Sequence, residues 1–189
     1  MVVSVKQNLF HAALAALLVS VICLAGVPDA WGKDRPRVEA LDNPPPQPEF
    51  VFKSLTEGEE LRLADLRGQL VMVHYWATWC APCIVELPHI DDLSADYADQ
   101  AFTVVAVSTD KKRKNLRRFL KRAKLEHITP WWDRRGESYD HFDEDGIPFT
   151  VFYGGDGTEL VRIRGNLDWS DEAAREIIDG LIRQETASG

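Results

Sequence analysis

The chain has 189 residues, 45% of them apolar, which allows one ordinary domain with a sizeable core plus short extensions. Its net charge of −8 argues against nucleic acid as the main partner. Cys23 falls in an apolar N-terminal segment, so the folded part carries only Cys80 and Cys83.

Leu9 to Val27 is almost wholly apolar, with Lys6 upstream and only His11 and Ser20 as polar interruptions. Residues 1–32 therefore read as a signal peptide or a membrane anchor that places the rest outside the cytoplasm. A cut after Gly32 would use Ala30 and Gly32 as its small residues; Pro28 sits awkwardly for a cut after Ala30, and Ile22 is too bulky for a lipoprotein cut before Cys23, so the reading leans slightly to the uncleaved anchor. Residues 33–48, with Pro44-Pro45-Pro46-Gln47-Pro48, read as a semi-rigid spacer. Residues 49–186 form the expected domain.

Phe50-Val51-Phe52 and Leu61-Arg62-Leu63 predict a hairpin with Glu57-Gly58 near its turn. Ala64 to Gly68 predicts a turn or short helix ending on glycine. Leu70 to Trp76 predicts a central strand covered on both faces. A helix from Pro82 to Tyr97 and a second buried strand, Phe102 to Val107, complete a right-handed parallel crossover. Lys111 to Lys124 predicts a helix with Leu116, Phe119, Leu120 and Ala123 on one face. Nine lysines and arginines crowd its other face. These are either a solvated surface or a docking face for an acidic partner or anionic lipid headgroups.

Pro130-Trp131-Trp132-Asp133 leads into a turn at Arg134-Arg135-Gly136, and Glu137 to Phe142 predicts a short helix. Phe149 to Tyr153 and Glu159 to Arg164 predict a hairpin around Gly154-Gly155-Asp156-Gly157. Asp171 to Arg183 predicts a closing helix with Ser170 as its N-cap.

The chemistry concentrates at Trp79-Cys80-Ala81-Pro82-Cys83, where a strand delivers two thiols to the first turn of a helix. Cysteines at this spacing can close a disulfide with little backbone movement. Unsatisfied N–H groups and partial positive charge at a helix start favour the thiolate, the attacking species. Pro82 suits an early helical position, and Trp76 and Trp79 are expected to shield the sulfurs. A zinc site lacks a second ligand pair. A structural disulfide closing so short a loop would add little stability. Redox function is the preferred reading.

Glu86 stands out on the same helix. With Cys83 at zero and about 100° per residue, Glu86 falls near 300°, among Leu93, Tyr97 and Ile90. An acid inside the apolar stripe is expected to be desolvated, with a raised pKa, and able to exchange a proton with the second thiol. The alternative is a glutamate that snorkels to solvent.

Residues from about Pro48 to Arg183 resemble the thioredoxin-fold domains of the TlpA/ResA type, membrane-tethered bacterial thiol–disulfide oxidoreductases. The resemblance is carried by Leu66-Arg67-Gly68, Tyr75-Trp76-Ala77-Thr78-Trp79-Cys80-Ala81-Pro82-Cys83, Glu86-Leu87-Pro88, Val104-Val105-Ala106-Val107-Ser108 and Gly146-Ile147-Pro148. It implies a thioredoxin-like three-layer α/β/α fold with a central mixed sheet and an N-terminal β-hairpin. It further implies a cis Pro148 packed against the disulfide, with the Ile147 backbone free to pair with an extended substrate. Trp79, Ala81 and Pro82 would line the same groove. The glutamate matching Glu86 is functional in ResA-like proteins. His74 departs from the aspartate or asparagine common in these families. It is either a proton carrier or a neutral core residue. Phe149 departs from a common threonine and would make the groove more apolar.

The expected cycle has Cys80 as exposed nucleophile and Cys83 as resolving thiol, with no cofactor. Ala81-Pro82 lacks the histidine of strongly oxidising enzymes, so a reductant of protein disulfides is expected, recharged by a membrane thiol–disulfide electron donor. Cytochrome c maturation and copper-site assembly are the candidate pathways. A thiol peroxidase of the peroxiredoxin type usually wants a threonine three residues before its cysteine. Here Thr78 lies two before Cys80. A copper-handling protein of the Sco kind spaces its cysteines by three and adds a distal histidine; His127 and His141 are present, but the cysteine spacing differs.

Overall fold

The computed structural model describes residues 36–41, 45–55 and 59–188. The chain divides into Met1–Lys33 and Asp34–Gly189. The first unit, with the expected leader and Cys23, lies outside the described residues, as do Pro44 and the Glu57-Gly58 turn. Among the described residues no helix is long and apolar enough to cross a membrane.

The strands are β1 (Arg37–Ala40), β2 (Val51–Ser54), β3 (Glu60–Arg62), β4 (Leu70–Trp76), β5 (Phe102–Ser108), β6 (Trp131–Trp132), β7 (Phe149–Tyr153) and β8 (Glu159–Arg164). The helices are α1 (Ala81–Asp96), α2 (Arg113–Leu120), α3 (Glu137–Asp140) and α4 (Glu172–Ser188), with a 3-10 turn at Leu63–Leu66. One eight-stranded sheet runs in the order β1-β8-β7-β4-β5-β6-β2-β3. β5 pairs in parallel with β4 and β6, and the other pairs are antiparallel, so the sheet is mixed.

All seven residues of β4 are buried, as its continuous apolar run requires of a strand with β5 and β7 on either side. Strand alternation divides its side chains between two cores. Met72 and Trp76 pack with Leu87 and Ile90 of α1, Leu116 of α2 and Ala174 and Ile178 of α4. Val71, Val73 and Tyr75 pack with Phe52, Leu63, Phe149, Val151 and Phe142 on the opposite face, which α3 covers through Tyr139. The layers of the thioredoxin-like expectation are therefore present, one thick and one thin.

Three local differences have physical causes. Part of the segment read as spacer is strand: β1 pairs with β8, and Pro46 bridges Thr158. β1 is exposed at all four positions, and its Val38/Ala40 alternation is too short to signal a strand. α2 stops at Leu120 rather than Lys124. Like charges at Arg113/Arg117, Lys114/Arg118 and Arg117/Lys121 repel one turn apart, and buried Asp91 draws the following chain away by accepting N–H bonds from Glu126, His127 and Ile128. Ser170 is not the N-cap of α4. Its N–H and hydroxyl both donate to Asp168, and the helix starts at Glu172.

Candidate active site

Cys80 and Cys83 form a disulfide, with an S–S distance of 2.00 Å and Cα atoms 5.3 Å apart. Cys80 is itself the N-cap of α1, and its sulfur accepts the Cys83 N–H at 3.3 Å. A helix start leaves such N–H groups without intrahelical partners. In the reduced pair the same N–H is placed to hold negative charge on Cys80 Sγ, reinforced by the positive end of the helix.

The two sulfurs differ in access. Cys83 is wholly buried, while Cys80 keeps 4% of its surface. Cys80 is thus much less open than the sequence suggests. The residues flanking it in sequence, Trp79, Ala81 and Pro82, are exposed. The Ile147 carbonyl oxygen lies 3.6 Å from the Cys80 sulfur, and the Ile147–Pro148 bond is cis. β7 begins only at Phe149, so the Ile147 backbone stands at the sheet's end beside the sulfur. Pro148 is buried and Ile147 half-buried. Trp79 is 71% exposed beside the nearly covered Cys80. Trp76 is buried beneath the site, its ring centroid 5.3 Å from that of Phe119.

Asp110, which the sequence reading passed over, fixes the loop that carries Cys80. It accepts from the Thr78 N–H at 2.8 Å, the Thr78 hydroxyl at 2.6 Å and the Ser108 hydroxyl at 2.9 Å. The available signal was an aspartate just beyond the apolar run of β5, at the same sheet end as the thiols.

Glu86 does not snorkel. It is 2% exposed, and Oε1 accepts the Leu167 N–H at 2.8 Å. Burial pushes its carboxyl up to about 8, against the opposing effect of that hydrogen bond. His74, on β4, lies within the same buried pocket. Its Nε2 is 3.5 Å from Glu86 Oε2, and Nδ1 is 2.9 Å from Thr150 Oγ1. Burial pushes its imidazole down to about 3, so the ring is neutral at ordinary pH. Structure thus joins His74 and Glu86, which sequence considered apart. Among the described residues no cluster of His, Cys, Asp or Glu is placed to hold a metal ion.

The family model described as AhpC/TSA family matches residues 46–158. Thiol-disulfide oxidoreductase ResA of Oceanobacillus iheyensis is 30% identical over 167 residues, which cover 86% of this chain and 84% of that protein. ResA of Geobacillus thermodenitrificans is 39% identical over 124 residues, covering 66% of this chain and 70% of that protein. Among solved structures, a Chlorobium tepidum protein assigned as thiol:disulfide interchange protein DsbE superimposes with a TM-score of 0.68 at 26% identity. The match covers 76% of this chain and 99% of that one. With the Cys80–Cys83 pair at the head of α1, these similarities establish that the chain belongs to the AhpC/TSA family and is a thiol–disulfide oxidoreductase of the ResA/DsbE type.

Proposed function

We propose that the chain reduces disulfides of partner proteins on the outer side of a bacterial membrane, tethered by or exported through residues 9–27. The observation that carries the chemistry is the N-cap disulfide, Cys80 keeping a narrow 4% exposure and Cys83 wholly sealed behind it. Cys80 thiolate attacks a partner disulfide, forming a Cys80–partner bond and expelling the partner's first thiolate. Cys83 then attacks Cys80, gives its proton to the Glu86 carboxylate and releases the partner's second thiolate, which takes a proton from water. A membrane thiol–disulfide donor reverses the internal step. Its thiolate attacks Cys80, and Cys83 leaves with the proton held on Glu86.

An extended substrate would lie along Trp79, Ala81 and Pro82 and pair with the Ile147 backbone beside cis-Pro148. Cytochrome c maturation and copper-site assembly remain the pathways this chemistry fits. Thr78 is poorly suited to the peroxidase alternative, because its hydroxyl is donated to Asp110. Replacing Cys83→Ser tests the cycle. It should accumulate a mixed disulfide between Cys80 and its partner, visible on non-reducing gels and dissolved by dithiothreitol. No adduct with any offered protein disulfide would refute the assigned roles of the two sulfurs.

A further inference from the structure

His74 and Glu86 face each other with matching vacancies. Neither His74 Nε2 nor Glu86 Oε2 has a hydrogen-bond partner, and the two are 3.5 Å apart with both side chains almost wholly buried. Their other ends are fixed, Nδ1 against Thr150 Oγ1 of β7 and Oε1 by the Leu167 N–H in the segment before α4. Also near the carboxyl are Cys83 one turn earlier on α1, the Trp169 indole, whose buried Nε1–H likewise has no partner and which favours the carboxylate, and Asp168, which disfavours it and itself lies 3.6 Å from His89.

Resting on the reading of Glu86 as the proton partner of Cys83, we infer that His74 is a positioning residue that gives the Glu86 carboxyl a hydrogen-bond partner in both of its protonation states. With the proton on Glu86, the acid O–H donates to bare Nε2 and Nδ1–H donates to the Thr150 hydroxyl oxygen. With the proton gone, Nε2–H donates to the carboxylate and the Thr150 O–H donates to Nδ1. The ring is neutral throughout, as its burial demands. The same heavy atoms serve both states, so neither leaves an unpaired buried group of the kind that costs most. The proton balance follows. One proton passes from Glu86 to the Cys83 sulfur when the disulfide is reduced, and the same proton returns when Cys83 attacks the mixed disulfide.

The test is the pH–rate profile of disulfide exchange between about pH 5 and pH 10, using the reduced full-length chain and a small aromatic disulfide as probe. Glu86→Gln should abolish the inflection that belongs to the carboxyl. His74→Leu removes the donor facing Oε2 in a dry site while the Leu167 N–H and the Trp169 indole remain, so it should move that inflection up by about one pH unit. His74→Asn, whose amide can donate or accept, should restore most of the shift, and His74→Leu should have no further effect on the profile of the Glu86→Gln chain. If Glu86→Gln leaves the inflection intact, the reading of Glu86 fails and takes this inference with it. If Glu86→Gln abolishes it but His74→Leu does not move it, His74 alone is wrongly assigned. Nitrogen NMR of the unaltered chain needs no substitution. His74 Nε2 should change from bare to protonated as Glu86 ionises, and a single tautomer throughout would overturn the inference.

Discussion

Burial acts in opposite directions on Glu86 and His74, and the sum sets a pH window for stability. Glu86 rises from 4.5 to about 8 on folding, so between those values the folded state holds a proton that the unfolded state has lost, and stability falls as pH increases. His74 falls from 6.5 to about 3, so in that range the unfolded state holds the extra proton, and stability increases with pH. From about 3 to 4.5 only the histidine acts, from 4.5 to 6.5 the two cancel, and from 6.5 to about 8 only the glutamate acts. The oxidised protein should therefore lose on the order of 2 kcal/mol between neutral-acid and mildly alkaline pH. Urea unfolding at pH 6 and pH 8 measures it, and Glu86→Gln should flatten the decline. The burial of Glu86 was legible in sequence, because its helical angle placed it within an apolar stripe. Its pairing with His74 was not, because β4 and α1 meet only through the crossover, and no local spacing records which strand residue lies under which helical turn.

At the level of elements, two buried aspartates do different work from similar bonds. Asp110 ties the end of β5 to Thr78, two residues before Cys80, whereas Asp91 on α1 ties down Glu126, His127 and Ile128 after α2. Removing either leaves backbone donors unpaired, and each alanine variant should lose on the order of 3 kcal/mol of stability. Only Asp110→Ala should also slow disulfide exchange, because it frees the loop that presents Cys80. Urea titrations combined with exchange rates separate the two, and equal exchange rates in both variants would show that the Thr78 loop is held by other means. The long elements were readable because β4, α1, β5, β7 and β8 carry their period over several residues. β1 was not, being a short edge pairing whose partner lies far along the chain. The residues that fix the loops escaped notice for the same reason, since a carboxylate accepting backbone N–H groups has no sequence pattern of its own.

For the whole molecule, charge and connectivity bear on where the enzyme works. Nine of its 22 lysines and arginines fall within residues 111–124, in a chain of net charge −8. Among the described residues none of the nine pairs with a carboxylate. Arg113 and Arg117 instead both donate to the Leu55 carbonyl oxygen, at one wall of a groove of about 1100 Å³. Connectivity gives the sharper test, because the domain's sheet begins earlier than the proline-rich segment implied. β1 covers the outer edge of β8 in the register Arg37↔Arg164 to Ala40↔Val161, and Arg164 also pairs with Glu39. If residues 9–27 tether the chain, a chain starting at Asp34 should therefore keep full stability and exchange activity but fail to sediment with membranes as the full chain would. A chain starting at Glu49 lacks β1 and its ladder, and should lose on the order of 2 kcal/mol for the backbone bonds removed from β8. Fractionation reads the first difference and urea unfolding the second. Equal stability of the two shortened chains would mean that β1 decorates the sheet without supporting it, and membrane retention of the Asp34 chain would shift the tether from residues 9–27 to the domain surface.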